Sequence, residues 1–131
     1  MRHRTINPWK WQDQLGFVQA AEVKAGQHVL YCAGQTSMDP DGKPIHIGDM
    51  RAQMKQSMDN LEVVLSEAGY ALSDVVRLNY YTTDVDQFFA NYDVIVGRLT
   101  QENAQVSATL LGISRLAFPE LLVEIEATAV K

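Results

Sequence analysis

Cysteine is almost missing from this chain of 131 residues, in which Cys32 is the only thiol. A single cysteine cannot form an intrachain disulfide, and this agrees with a reducing compartment. Residues 28–34 around it are rich in β-branched and aromatic side chains, a composition typical of a buried strand. We therefore expect a packed thiol rather than a nucleophile at this position.

Long apolar runs are missing as well. No apolar run in the sequence approaches the roughly 20 residues that a helix needs to cross a bilayer. The N-terminal segment 1–9 starts with basic residues, but neither the apolar stretch nor the cleavage site of a signal peptide follows it. We expect no membrane partner and a cytoplasmic location.

Positive charge is scarce, with 11 Lys and Arg against 16 Asp and Glu and a formal net charge of -5. Because nucleic-acid affinity comes largely from neutralising phosphates, a chain without a basic stripe is not expected to bind RNA or DNA. The three histidines fall in different elements, and the sequence has no metal-ligand spacing and no Gly-rich phosphate loop. No serine has an identifiable base partner, so a Ser-His-Asp hydrolase has no support.

The length and the hydrophobic pattern predict a single domain over residues 1–131. The predicted strands are 16–23, 28–34, 73–83, 104–113 and 121–130, and the predicted helices are 49–68 and 84–101. The first two strands are joined across residues 24–27, where Gly26 suits a hairpin turn. Two helices on one face of a mixed sheet form an α+β layer architecture, which is the predicted fold class.

The first predicted helix has the clearest pattern. Apolar residues recur every three or four positions from Met50 to Ala68, which is the spacing of one helical face. Asp49 is a suitable N-cap, and Gly69 stands where a left-handed residue ends a helix.

The C-terminal strand places two acidic side chains together. Side chains alternate between faces in a strand, so Val123 and Ile125 line one side while Glu124, Glu126 and Thr128 line the other. Like charges at this spacing repel each other, and a folded sheet keeps them when they are solvated, paired or used chemically.

Four segments resemble the Rid (YjgF-like) family of reactive-intermediate deaminases. They are Gly-Phe-Val-Gln-Ala at 16–20, Tyr-Cys-Ala-Gly-Gln-Thr at 31–36 with Asp-Pro-Asp-Gly at 39–42, the helix phrase at 58–69 and Val-Glu-Ile-Glu-Ala-Thr-Ala at 123–129. The resemblance implies a chorismate-mutase-like fold and a homotrimer with pockets at the subunit interfaces. It also implies a small-molecule substrate, the hydrolysis of enamines and imines to carbonyl compounds and ammonia, and no metal or organic cofactor.

The resemblance also identifies the site residues. Family deaminases hold the substrate carboxylate with an arginine, and Ala108 stands at its place here. Ala33 replaces a pocket serine, while Phe17 and Val18 replace a tyrosine and a serine. Glu124 matches the family glutamate, which is thought to position or polarise the attacking water.

Glu124 is therefore the predicted catalytic residue. The predicted substrate-binding residues are Phe17, Ala33, Gly34, Tyr80, Ala108 and Thr109. The loss of the arginine, the serine hydroxyl and the phenol leaves a less polar pocket, in which the carboxylate of an α-imino acid would be unpaired. Simple α-imino acids are therefore disfavoured as substrates.

Three other arginines are considered as replacements for the missing one. Arg115 lies an odd number of residues beyond Ala108, an offset that points it to the opposite face of a strand. Arg77 or Arg98 of a neighbouring subunit are the alternatives.

Five aromatic residues are candidates for the pocket or the subunit interface, namely Trp9, Trp11, Phe17, Tyr80 and Tyr81. For each of them, ordinary packing is the competing interpretation. Since residues 7–11 precede the first predicted strand, one of the two tryptophans is a candidate lid.

Two other functions compete with the deaminase hypothesis. One is a non-catalytic trimeric module that binds a metabolite or a protein, which the altered pocket favours. The other is an endoribonuclease-type translation inhibitor, which the acidic charge balance disfavours.

Overall fold

The computed structural model describes residues 3–24 and 27–131. A four-stranded mixed sheet contains β3 (Val29–Tyr31), β4 (Val75–Thr82), β5 (Ser107–Gly112) and β6 (Val123–Val130) in the order β3-β6-β4-β5. The β4 and β5 strands are parallel, and the other neighbours are antiparallel. A second, two-stranded sheet pairs β1 (Arg4–Ile6) with β2 (Ala20–Glu22). The helices are α1 (Met50–Glu67), α2 (Val85–Ala90) and α3 (Asp93–Gln101), so the predicted α+β class is confirmed.

The α1 helix forms as its sequence predicts. Asp49 caps it by accepting a hydrogen bond from the Ala52 amide at 3.0 Å. Its apolar stripe is buried against the sheet, and Met54, Met58 and Leu61 are fully excluded from solvent. Gly69 follows with φ of 82°, in the left-handed region that ends many helices.

The expected hairpin between the first two predicted strands is wrong in the part of the chain that the structure describes. The β2 strand pairs with β1, whereas β3 pairs with β6 at the edge of the large sheet. The β1 strand is not predicted from the sequence, because its three residues are too few to show a periodic pattern. The turn expected at Gly26 lies outside the described residues.

The second predicted helix is broken into α2 and α3. Asp84 caps α2 by accepting from the Gln87 amide at 3.1 Å, so the predicted start is confirmed. At Asn91 the side-chain amide donates to the Gln87 carbonyl at 2.9 Å and the backbone amide turns to the Phe88 carbonyl at 3.2 Å. The side chain thus takes the acceptor that a continuous helix would use, and the chain changes direction.

The large sheet has one covered and one uncovered face. On the helix side, Leu78, Tyr80, Val123 and Ile125 join the core. Cys32 is buried in the same core, as predicted, and burial raises the pKa of its thiol. Among residues 3–24 and 27–131, no helix combines the length and the apolar character needed to span a membrane.

Candidate functional site

Glu124 lies on the uncovered face of the sheet. It is the second residue of β6, and its strand partner is Tyr81 of β4. The adjacent residues Val123 and Ile125 point into the core with no exposed surface, so the strand alternation turns Glu124 outward. The predicted two faces of this strand are confirmed.

The carboxyl group of Glu124 packs directly over the backbone of Gly34. The chain at Gln35 is tied to β6, since the Gln35 amide donates to the Ile125 carbonyl at 2.7 Å and the Ile125 amide returns a bond of 2.9 Å. This bridge brings Gly34 beside Glu124. A Cβ built on Gly34 would collide with the Glu124 carboxyl group, so the contact requires glycine.

The two glutamates on this face have opposite electrostatic environments. Burial raises the pKa of Glu124, and the neighbouring charge of Glu126 adds to the rise. Asn79 and Tyr81 donate hydrogen bonds to Glu126 at 2.9 Å and 2.8 Å, which lower the pKa of Glu126. Two nearby carboxyl groups with divergent pKa values are a pattern typical of acid/base sites.

An apolar cavity of about 270 Å³ lies at another part of the protomer. Its lining comes from the segment before β2, from α2 and its C-terminal end, and from β4 and β5. The lining residues are Leu15, Phe17, Tyr80, Phe88, Phe89, Tyr92, Ala108, Thr109 and Leu110. The Tyr92 hydroxyl donates to the Leu15 carbonyl at 2.8 Å and so ties the N-terminal segment to the helical wall.

The predicted site residues therefore fall into two groups. Phe17, Tyr80, Ala108 and Thr109 line the cavity together. Glu124 and Gly34 meet on the uncovered face, with the exposed Ala33 preceding Gly34. Because Tyr80 is paired with the core residue Ile125, its side chain lies on the opposite face of the sheet from Glu124. The predicted site residues thus form two separate groups, the cavity lining and the Glu124–Gly34 contact.

The three candidate replacement arginines have different partners. Arg98 binds Asp59 and Glu62 of α1. Arg115 lies in the loop after β5 and donates to the carbonyls of Leu116 and Ala117, so the strand offset expected for it does not apply. Arg77 lies on the uncovered face and donates to the hydroxyl of Thr109.

The two tryptophans near the N-terminus are exposed. Trp9 stacks on Trp11 with ring centroids 6.4 Å apart, and Trp11 meets the edge of Phe17 at 6.0 Å. Since Phe17 lines the cavity, Trp11 is adjacent to it, and the lid stays a prediction.

Several residues of the cavity cannot be recognised as site residues from the sequence. Phe88 and Tyr92 stand four residues apart within the predicted helix 84–101, a spacing typical of an ordinary packing face, and Leu15 and Phe89 carry no signal that distinguishes a cavity wall from ordinary packing. In the part of the chain that the structure describes, no cluster of three or more His, Cys, Asp or Glu is arranged to hold a metal ion.

Residues 13–131 match the family model described as Endoribonuclease L-PSP. A crystal structure of YyfB, a protein of unknown function of the conserved Rid protein family from Yersinia pestis, matches this fold with a TM-score of 0.86, 36% identity and 98% coverage of each chain. A RutC family protein from Pyrococcus horikoshii is 33% identical over 109 residues, 83% of each chain. The 2-iminobutanoate/2-iminopropanoate deaminase of Escherichia coli is 27% identical over 105 residues, 79% of this chain and 80% of its own. The structural likeness confirms the predicted chorismate-mutase-like fold.

Proposed function

The chain belongs to the Rid (YjgF-like) family, and from this premise we propose that it hydrolyses reactive imines or enamines to carbonyl compounds and ammonia. The observation that carries the proposal is the carboxyl group of Glu124, which is seated over Gly34 with a raised pKa. A relative with this activity, the deaminase of Escherichia coli, supports the reaction class.

In the proposed reaction, water adds to the carbon of the C=N bond to give a carbinolamine. The C–N bond then breaks, ammonia leaves with the electron pair and a proton, and the C=O bond forms. Glu124 donates a proton to the nitrogen in its acid form and accepts one from water as a carboxylate. A raised pKa suits this double role, because both forms are then closer to equal population near neutral pH.

The cavity would determine which imines bind as substrates. None of its nine lining residues in the described chain is a lysine or an arginine, and Ala108 occupies the place of the family arginine. The guanidinium of Arg77 is next to the cavity, but it lies on the uncovered face, where it donates to the Thr109 hydroxyl. An α-imino acid would bring an unpaired carboxylate into apolar surroundings, which is costly. The proposed substrates are therefore imines and enamines that do not depend on a carboxylate clamp.

The complete site would form in a homotrimer. The cavity of one protomer and the Glu124–Gly34 contact of another would face each other across an interface. Each protomer would then supply one half of the site at two different interfaces. The uncovered face carries the exposed side chains of Tyr31 and Leu111, which favour association. A cytoplasmic location agrees with the single, buried Cys32.

The direct test generates a panel of imines in the reaction vessel and follows their disappearance with and without the protein. We expect faster hydrolysis of at least one imine without a carboxylate, and loss of that acceleration in Glu124→Gln. Hydrolysis at the spontaneous rate for the whole panel, or full activity of Glu124→Gln, would refute the proposed mechanism.

A non-catalytic binding module is the second candidate, favoured by the apolar character of the cavity. It predicts ligand binding that does not respond to Glu124→Gln and no turnover on any imine. The description of the matched family also raises endoribonuclease activity, which the net charge of -5 disfavours. RNA cleavage that persists through purification and disappears on a point mutation would revive it.

A further inference from the structure

The walls of the cavity are mostly aromatic. Five of its nine lining residues are aromatic, and the rings of Tyr80, Phe88 and Tyr92 contact one another with centroids 5.4 to 6.0 Å apart. Phe89 is 59% exposed and forms the rim, with its ring 6.1 Å from that of Tyr92. Aromatic walls of this kind bind flat apolar groups better than they bind charged ones.

The volume limits the size of the occupant. A cavity of about 150 Å³ with apolar walls already accepts benzene. At about 270 Å³, this cavity has room for one aromatic ring and a few further atoms.

The hydroxyl groups of the lining offer a ligand little. The Thr109 hydroxyl accepts from Arg77, and the Tyr92 hydroxyl donates to the Leu15 carbonyl. The Tyr80 hydroxyl has almost no accessible surface, so a ligand in the cavity does not reach it. Burial raises the pKa of Tyr80, and its contact with Tyr92 adds to the rise.

A charged group brought between these walls would be left unpaired, which costs free energy. Resting on the function proposed above, we propose that the substrate group entering this cavity is an uncharged aromatic or bulky apolar substituent. Neutral aryl imines and the aryl aldehydes or ketones that they yield fit this description.

Binding rather than turnover tests the inference, so its outcome is separate from that of the proposed reaction. Three probes of similar size are titrated into the intact protein and followed by NMR: acetophenone has a ring and an acceptor, toluene has the ring alone, and benzoate has the ring and a negative charge. We expect both neutral probes to bind and benzoate to bind at least tenfold more weakly than either of them. If benzoate binds as well as acetophenone, or if none of the three binds, the inference is overturned.

Two variants test whether the probes bind in the cavity. Phe89→Ala should weaken both neutral probes, whereas the exposed Phe118→Ala, outside the cavity lining, is the matched control and should change neither.

Restoring the family arginine reverses the expected preference. Ala108→Arg places a guanidinium in the cavity, which should tighten benzoate about tenfold or more and weaken toluene. An unchanged order of the three probes in this variant would show that the cavity does not select them.

Discussion

The contact between Gly34 and Glu124 leaves no room for a side chain at position 34. Its φ is not in the left-handed region, so alanine is compatible with the backbone, and the collision involves only the flexible end of Glu124. Gly34→Ala should therefore keep the fold but displace the carboxyl group. The expected result is a loss of imine hydrolysis as large as that of Glu124→Gln.

Gly97→Ala is the matched control for this substitution. Gly97 lies within α3, and a Cβ there meets nothing within 4 Å. The variant should keep its activity and gain roughly 0.5–1 kcal/mol in the free energy of unfolding, because glycine is unfavourable inside a helix. Full activity of Gly34→Ala would mean that the position of the Glu124 carboxyl group is not what the reaction needs.

The two glutamates of β6 should affect stability with opposite signs. The pKa of Glu124 is raised above its ordinary 4.5, so the folded protein holds this proton more tightly than the unfolded chain. This group therefore lowers the free energy of unfolding as the pH rises from about 4.5 through its folded pKa. The pKa of Glu126 is lowered, so its stabilising contribution is present above 4.5 and is lost as the pH falls through its folded pKa.

Denaturant titrations check this prediction. At pH 7, Glu124→Gln should be more stable than the wild type and Glu126→Gln less stable, and both differences should shrink at about pH 4. A loss of stability in Glu124→Gln at neutral pH would contradict the raised pKa.

Local sequence patterns predict where helices and strands form, whereas the break in the second helix and the pairing of the strands depend on contacts that these patterns do not show. The spacing of Met54, Met58 and Leu61 and the cap at Asp49 are local, so α1 could be predicted from the sequence. The break at Asn91 depends on a side-chain hydrogen bond that an apolar stripe does not reveal. The pairing of β2 with β1 instead of β3 depends on contacts across the sheet, which local propensity does not encode.

The candidate site also has features that the sequence predicts and features that only the structure shows. Strand alternation alone turned Glu124 to the face opposite the core. The contact with Gly34 depends on the bridge between Gln35 and Ile125, which are far apart in sequence, and only the structure revealed it. Ala108 came from the family resemblance and Tyr80 from the set of aromatic candidates, whereas Phe89 is not distinguished from any other aromatic residue of a helix.

The link between α1 and α3 should be structural rather than catalytic. Arg98 of α3 pairs with Asp59 and Glu62, and its side chain is 26% exposed. Arg98→Met should lower the free energy of unfolding by about 1 kcal/mol and leave imine hydrolysis unchanged.

A second ion pair between these helices provides the comparison. Arg51 and Asp93 are more exposed, at 45% and 65%, so Arg51→Met should cost less stability. Denaturant midpoints measure both variants. If Arg98→Met stays fully stable but loses activity, Arg98 belongs to the site after all.

Within one protomer, the sheet separates the Glu124–Gly34 contact from most of the cavity, although the cavity residue Thr109 is bonded to Arg77 of the uncovered face. Glu124 lies on the uncovered face of the sheet, whereas the cavity includes Tyr80, which is paired with a core residue on the other face. Exposed apolar side chains on the uncovered face, including Tyr31 at 79%, would be buried by neighbouring copies. If the site is completed between protomers, as proposed, activity is a property of the assembly.

Mixing two inactive variants tests whether the site is shared. Glu124→Gln removes the carboxyl group, and Ala108→Trp fills the cavity. If each site takes its cavity from one protomer and Glu124 from the next, random reassembly of equal amounts should make about a quarter of the sites intact in a cyclic oligomer. Imine hydrolysis in the reassembled mixture should then recover to about that fraction, while each variant reassembled alone stays inactive. Size-exclusion chromatography with light scattering checks that all samples have the same mass, and a mixture as inactive as its components would place the whole site within one protomer.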